Sequence, residues 1–242
     1  MAIIQQIVSA KAQSRKLLVV LIDPDKPAAV EAVCPYLSLP DMIFIGGSTG
    51  DQCETCIARL RQTTERPILL FPGNIAQFTP TADALLFLSL LNARTPDVLI
   101  QPHIHIAQQV LQSGIETIPM GYILIDGDRK SSVEIATQCI PIPQNNIREI
   151  VSTAIAGQLL GKQLIYLEAG SGAKTPISAE IIRAVRAQLS VPLIVGGGIT
   201  TPDAMLRAFD AGADVVVIGN HFEQNPDEID EFVRIKQERY GE

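Results

Sequence analysis

Long apolar runs are missing from this chain of 242 residues, and none reaches the length needed to cross a bilayer. Residues 1–16 also lack a basic stretch followed by an apolar one. They predict an amphipathic helix rather than a secretion signal, and with it a cytoplasmic location. Positive charge is scarce: 19 Lys and Arg stand against 26 Asp and Glu, for a net charge of −7, and no basic run breaks the pattern. That balance argues against a nucleic-acid partner. There are only four cysteines, at positions 34, 53, 56 and 139. The Cys53-x-x-Cys56 pair has no second pair to complete a zinc site and sits in a helical pattern, so free buried thiols are expected. No linker or composition break divides the sequence, which predicts one domain over 1–242.

What the chain does have is a repeated alternation. Short, β-branched apolar runs occur at 17–22, 42–45, 67–71, 84–88, 117–125, 163–167, 191–195 and 214–218. Each reads as a parallel strand buried on both faces. Helical patterns separate most of them, at about 27–37, after Asp51, at 96–113 with a disturbance at Pro102, and at 145–160, 178–189, 202–211 and 226–240. Asp51 with Glu54 has capping-box spacing. The segment from Pro72 to Thr81 is too short for a crossover helix, so an irregular third unit is expected. A long loop from Asp126 to Pro143 has the character of a lid or binding loop. Eight strands alternating with about eight helices predict a (β/α)8 barrel of the TIM type, altered in one outer helix after strand three.

In a barrel every C-terminal strand end faces one mouth. Asp23, Asp25, Ser48, Asn92, Asp126, Glu168 and the glycine clusters therefore share a rim. Three clusters have the same form: Tyr166-Leu167-Glu168-Ala169-Gly170-Ser171-Gly172, Gly196-Gly197-Gly198 and Gly219-Asn220. Bare N–H groups at such turns suit a phosphate. A phosphate site has no need of an acid, so Glu168 is read as chemistry rather than as a structural ion pair. Tyr166 reads equally as a core tyrosine or a substrate contact. Asp23-Pro24-Asp25 is either a turn or a pair of hard-oxygen ligands, and Ser48 either a ligand or a helix cap. Lys26 is a phosphate contact or a solvated lysine. His103 and His105 point apart on a helix and are expected on a surface, while His221 suits a polar role at a helix start. Phe87, Leu88, Leu90 and Ile123–Ile125 lie near the mouth, though each taken singly reads as barrel core.

The ordered set Leu21-Ile22-Asp23-Pro24-Asp25-Lys26, Ile45-Gly46-Gly47-Ser48, Leu88-Ser89-Leu90-Leu91-Asn92, Tyr166 to Gly172, Gly196-Gly197-Gly198-Ile199 and Ile218-Gly219-Asn220 resembles the geranylgeranylglyceryl phosphate synthases, relatives of the PcrB proteins. The resemblance spans nearly the whole chain, and the Leu88–Asn92 stretch is similar to the archaeal-type branch. It implies a prenyltransferase that joins sn-glycerol 1-phosphate to C1 of geranylgeranyl diphosphate and releases pyrophosphate. It also implies Mg²⁺ held by Asp23 and Ser48. In such a reaction the acceptor hydroxyl must lose its proton, so Glu168 is the candidate catalytic base, with Tyr166 orienting the glycerol or facing the developing cation. Glycerol phosphate would lie on Tyr166, Leu167, Glu168, Ala169, Gly170, Ser171, Gly172, Gly197, Gly198, Gly219 and Asn220. PcrB-type proteins place a lysine two residues before the first Asp, where this chain has Leu21. The resemblance further implies a homo-oligomer, dimer or hexamer, and transient contact with a membrane through the lipophilic product. Two other readings use the same late glycine clusters: a sugar-phosphate isomerase or lyase barrel, and a non-catalytic barrel that binds a prenyl or phosphate ligand.

Overall fold

The computed structural model describes residues 1–47 and 50–241. The elements follow in the order α1 (Ile3–Ala12), β1 (Leu17–Ile22), α2 (Pro27–Val33), β2 (Met42–Ile45), α3 (Cys53–Leu60), β3 (Ile68–Leu70), β4 (Ala84–Leu90), α4 (Pro96–Leu99) and α5 (Gln101–Ser113). The second half runs β5 (Glu116–Leu124), α6 (Ser132–Thr137), α7 (Ile147–Leu159), β6 (Leu164–Glu168), α8 (Ala179–Arg186), β7 (Leu193–Gly196), α9 (Pro202–Asp210), β8 (Val215–Ile218), α10 (Asn220–Gln224) and α11 (Glu228–Tyr240). All eight strands are parallel and pair in sequence order, and β8 closes back on β1.

The two-residue period of a strand sorts its side chains into two cores. Leu17, Val19, Phe44, Leu69, Leu86, Met120, Tyr166 and Val217 fill the barrel interior. Leu18, Val20, Ile43, Ile45, Leu70, Ile165, Leu167 and Val216 pack outward against the helices. Both rows are apolar, which is why the strands read as unbroken apolar runs.

Between β3 and β4 the only helical residues are a single 3₁₀ turn, Ile75–Gln77, so the third crossover helix is absent as expected. Three local expectations are corrected. Helix α3 starts after Gln52 with no side-chain cap, because Asp51 accepts instead from the Gln52 amide at 2.6 Å. The long helix after β4 breaks at Ile100, not at Pro102; the proline lies in the first turn of α5, where its missing N–H costs nothing. The long loop also contains a helix, α6, whose cap Ser131 accepts the Glu134 N–H at 3.1 Å.

Helix α1 closes the N-terminal end of the barrel, with Ile3, Ile7 and Ala10 buried against the interior core. It has no cap of its own. Glu116, at the start of β5, accepts the N–H groups of Ile3 at 2.6 Å and Ile4 at 2.8 Å. Loss of a cap costs about 0.5–2 kcal/mol. Glu116→Ala is therefore expected to lower unfolding stability by about 1–2 kcal/mol, read from the urea midpoint. An unchanged midpoint would show that this cap contributes nothing. Among the described residues no helix is long and apolar enough to cross a membrane.

Candidate active site

Glu168 ends β6 on the inward row that includes Leu164 and Tyr166. The residue is only 7% exposed, and Oε1 accepts the Gly170 N–H at 2.7 Å. The Tyr166 hydroxyl lies close enough to this carboxylate to favour its charged form. Burial pushes the Glu168 pKa above the usual glutamate range, and Tyr166 and the Gly170 N–H offset only part of that rise. Burial is the cause that raises it, without any bound anion.

Tyr166 lies one step below, 1% exposed, with its ring 5.6 Å from Phe71 and 5.4 Å from Tyr122. It forms the floor under Glu168. Gly196 leaves room for its hydroxyl, which a methyl group at that position would overlap. Two residues of the same stretch could meet a ligand only through their backbone. Leu167 is fully buried on the helix-facing side, and Ala169 is 2% exposed in the same core, so neither side chain faces the mouth.

The glycine clusters after β6 and β7 are in direct contact. Glu168 pairs in register with Gly196, and the Ala169 N–H donates to the Gly196 carbonyl at 3.1 Å. Gly197 has φ +82°, and a Cβ there would overlap Glu168 Oε1 and come within 2.8 Å and 2.9 Å of the Gly170 and Ala169 nitrogens. Among the described residues, the N–H groups of Ser171, Gly172, Gly197 and Gly198 make no hydrogen bond. Backbone donors normally find a partner. Four left open beside one another form a cradle for an anion. Arg129, which sequence reasoning passed over, lies on this cradle with Nη1 3.3 Å from the Gly172 carbonyl.

The arc continues around the rim. Gly219 lies against Leu21, and Asn220 opens α10. The same helix brings Glu223 onto the loop after β1: Oε1 accepts the Asp23 N–H at 2.9 Å, and Oε2 holds Lys26 Nζ at 2.7 Å. Glu223 was not legible as a site residue because α10 itself was not anticipated. The faint signal was Asn220-x-x-Glu223 between Gly219 and Pro226. Lys26 is thus exposed but paired, held by an acid of α10.

Asp23 lies against the loop after β2, where a Cβ at Gly47 would come within 2.6 Å of its Oδ1. Asp25 likewise lies against Gly50. The Asp25 pKa is raised, by burial first and then by the charges of Asp23 and Asp51. Crowded hard-oxygen donors at a mouth suit a divalent cation. Among the described residues, no group of three or more His, Cys, Asp or Glu side chains could hold an ion. A single carboxylate or two, completed by substrate phosphates and water, is the mode typical of Mg²⁺. Ser48, the other expected ligand, lies outside the described residues.

The rest of the mouth is largely apolar. Leu21, beside Gly219, and Phe71, Leu88, Val98, Leu99 and Val133 cap the interior core and are only partly buried. Of the residues expected to line a groove, Leu88 belongs to this arc. Leu90 and Ile123–Ile125 are buried core, and Phe87 faces outward, edge-on to His103 with centroids 4.5 Å apart. Asn92 is not an open rim residue. It is 3% exposed and clamps the end of β5, bonding both the N–H and the carbonyl of Leu124. His103 is half-buried with a ring nitrogen 2.6 Å from the Leu88 carbonyl, because the break before α5 turns it inward; His105 is exposed. His221 pairs with Glu228 at 2.8 Å near the start of α11. Asp126 and Asp128 shape their own loop, and Asp128 bonds Thr175. Burial pushes the Cys53 thiol up to about 11 and the Cys56 thiol up to about 12, so both stay protonated.

Residues 10–236 match the PcrB family. A geranylgeranylglyceryl phosphate synthase of Zunongwangia profunda is 45% identical over 226 residues, covering 91% of this chain and 97% of that protein. One from Pyrococcus horikoshii is 37% identical over 229 residues, covering 91% and 89%. Among solved structures, the crystal structure of (S)-3-O-geranylgeranylglyceryl phosphate synthase from Thermoplasma acidophilum, in complex with its substrate sn-glycerol-1-phosphate, matches with a TM-score of 0.90 at 29% identity. The match covers 98% of this chain and 99% of that one. With a family match over nearly its whole length, and relatives this similar across almost their own, the chain belongs to the PcrB family.

Proposed function

We propose that this barrel is a geranylgeranylglyceryl phosphate synthase, transferring the geranylgeranyl group from its diphosphate to sn-glycerol 1-phosphate. The observation that carries the reading is the position of Glu168, a buried carboxylate with a raised pKa set against the open N–H groups of Gly197 and the β6 loop. Glycerol phosphate bound through its phosphate on Ser171, Gly172, Gly197 and Gly198, with Gly219 and Asn220 beside them, places a hydroxyl near Glu168. The C–O bond forms between that hydroxyl oxygen and C1 of the prenyl chain. The bond from C1 to the diphosphate breaks, and pyrophosphate leaves with the electron pair. Glu168 takes the hydroxyl proton, and Tyr166 holds the carboxylate from below.

Asp23, with Asp25 beside it, would hold Mg²⁺, and Ser48 is assigned with them on the family resemblance. A bound Mg²⁺ supplies Lewis-acid neutralisation of the diphosphate oxygens. The apolar arc of Leu21, Phe71, Leu88, Val98, Leu99 and Val133 takes the first isoprene units. Exposed Ile135 on α6, with Ile100 just after α4 and Ile140 just beyond α6, adds apolar surface, which suits brief contact with a membrane that receives the product. A cytoplasmic homo-oligomer, dimer or hexamer, completes the proposal.

The test is product formation from labelled glycerol 1-phosphate and geranylgeranyl diphosphate, with and without Mg²⁺. Absence of product at saturating metal and substrates would overturn the assignment. Asp23→Asn is expected to lower turnover about 100-fold, equivalent to ~2.7 kcal/mol of barrier, and to raise the Mg²⁺ concentration needed for half-maximal rate. An unaltered Mg²⁺ titration would remove Asp23 as the ligand.

A further inference from the structure

Lys26 stands between two carboxylates. Its ammonium is 2.7 Å from Glu223 Oε2 and 3.4 Å from Asp23 Oδ2. The Glu223 side chain is 7% exposed, that of Asp23 26%. The more buried acid therefore lies nearer the ammonium, and the more open acid lies farther off. Glu223 is fixed in this role, because its second oxygen is bound to the Asp23 N–H at 2.9 Å. Without Glu223, the carboxylate left to the ammonium would be Asp23. An ammonium seated on Asp23 must be displaced before any divalent cation can use the same oxygens, and every oxygen withheld from the ion lowers its affinity.

We infer that Glu223 is a positioning residue that draws Lys26 aside and so keeps the Asp23 carboxylate available to the divalent cation that accompanies the diphosphate. The inference rests on the proposed cation role of Asp23. Lys26 touches both acids, and the shorter contact to Glu223 limits how much of the Asp23 carboxylate the ammonium occupies.

The experiment measures Mn²⁺ binding by water-proton relaxation, on the full chain with saturating inorganic pyrophosphate and no prenyl substrate, so that turnover plays no part. Glu223→Gln keeps an acceptor for the Asp23 N–H but releases the ammonium. It is expected to weaken Mn²⁺ binding about tenfold. Adding Lys26→Met in the same chain removes the competitor and is expected to bring affinity back to within about threefold of the parent. Lys26→Met alone is expected to tighten binding by up to about threefold. A merely structural Glu223 would leave the double variant as weak as the single one, and that result overturns the inference. So does a Glu223→Gln chain that binds as the parent does, or a Lys26→Met chain that binds more weakly. Asp23→Asn separates the two levels of the reading. If it leaves Mn²⁺ affinity unchanged, the cation role of Asp23 falls and the inference with it. If it abolishes binding while Glu223→Gln has no effect, only the inference falls.

Discussion

Glu168→Gln is expected to lower kcat about 1,000-fold while the KM for glycerol 1-phosphate moves by less than about threefold. The amide keeps the shape of the side chain, and its oxygen can still accept the Gly170 N–H that now lies 2.7 Å from Oε1. The phosphate cradle should therefore survive, and what is lost is the ability to take a proton. The pH dependence has a definite sign. Burial raises the pKa of Glu168, and the active base is the deprotonated form, so the rate of the parent climbs as pH rises through that raised value and then levels off. The residual activity of Glu168→Gln should lack this limb. Stability moves the other way. The folded chain holds this proton more tightly than an unfolded glutamate does, so the folded state loses stability as pH rises from the ordinary glutamate range through the raised value. Above it the parent bears the full cost of a buried charge. The neutral variant should then melt at a higher temperature than the parent at pH above the raised value, with the difference shrinking as the pH is lowered through it. A preserved kcat, or a melting temperature no higher than that of the parent, would remove Glu168 as a base held in a costly state.

The parts of the site that were legible in sequence are those whose demand falls on the backbone. Gly197 and its neighbours are needed because any side chain there meets a backbone or a carboxylate, and that requirement leaves a permanent mark in the sequence. The strands were legible for a similar reason: residues such as Leu17–Ile22 are buried on both faces, so no polar residue interrupts them. What could not be read depends on chain segments folding back. Glu223 gains its role only when α10 lays it on the loop after β1, 200 residues away in sequence. Asn92 looked like a rim residue by position, yet its amide is spent on the backbone of Leu124. Leu167 sits inside the motif by spacing, but the strand period turns it toward the helices. Tyr166, two residues before Glu168, shares its inward row and so becomes floor rather than wall. The apolar arc of the mouth was only partly visible, because Val98, Leu99 and Val133 come from α4 and α6, and the second of these was read as loop.

Gly197→Ala is expected to damage both halves of the site at once, lowering kcat about 100-fold and raising the KM for glycerol 1-phosphate about tenfold. With φ at +82°, the backbone is in a region where an L side chain costs about 1–2 kcal/mol. The new methyl would also overlap Glu168 Oε1 and press within 2.8 Å and 2.9 Å of the nitrogens of Gly170 and Ala169. Of these neighbours only the carboxylate can swing away, and doing so breaks its bond to Gly170; otherwise the β6 loop must move and open the cradle. Displacements of about 1 Å at reacting groups are enough for a 100-fold loss. The adjacent Gly198→Ala provides the contrast. Its φ is also positive, at +73°, but its Cβ would lie against Ala173 and Pro176, with the Ala173 carbonyl at 3.0 Å, rather than against Glu168. That change should raise KM for the phosphate substrate and spare kcat. Equal effects of the two substitutions on kcat would mean that both act through general loosening of the loops. A kcat loss confined to Gly197→Ala would tie the carboxylate and the anion cradle into one device, with the glycine as the gap in which they meet.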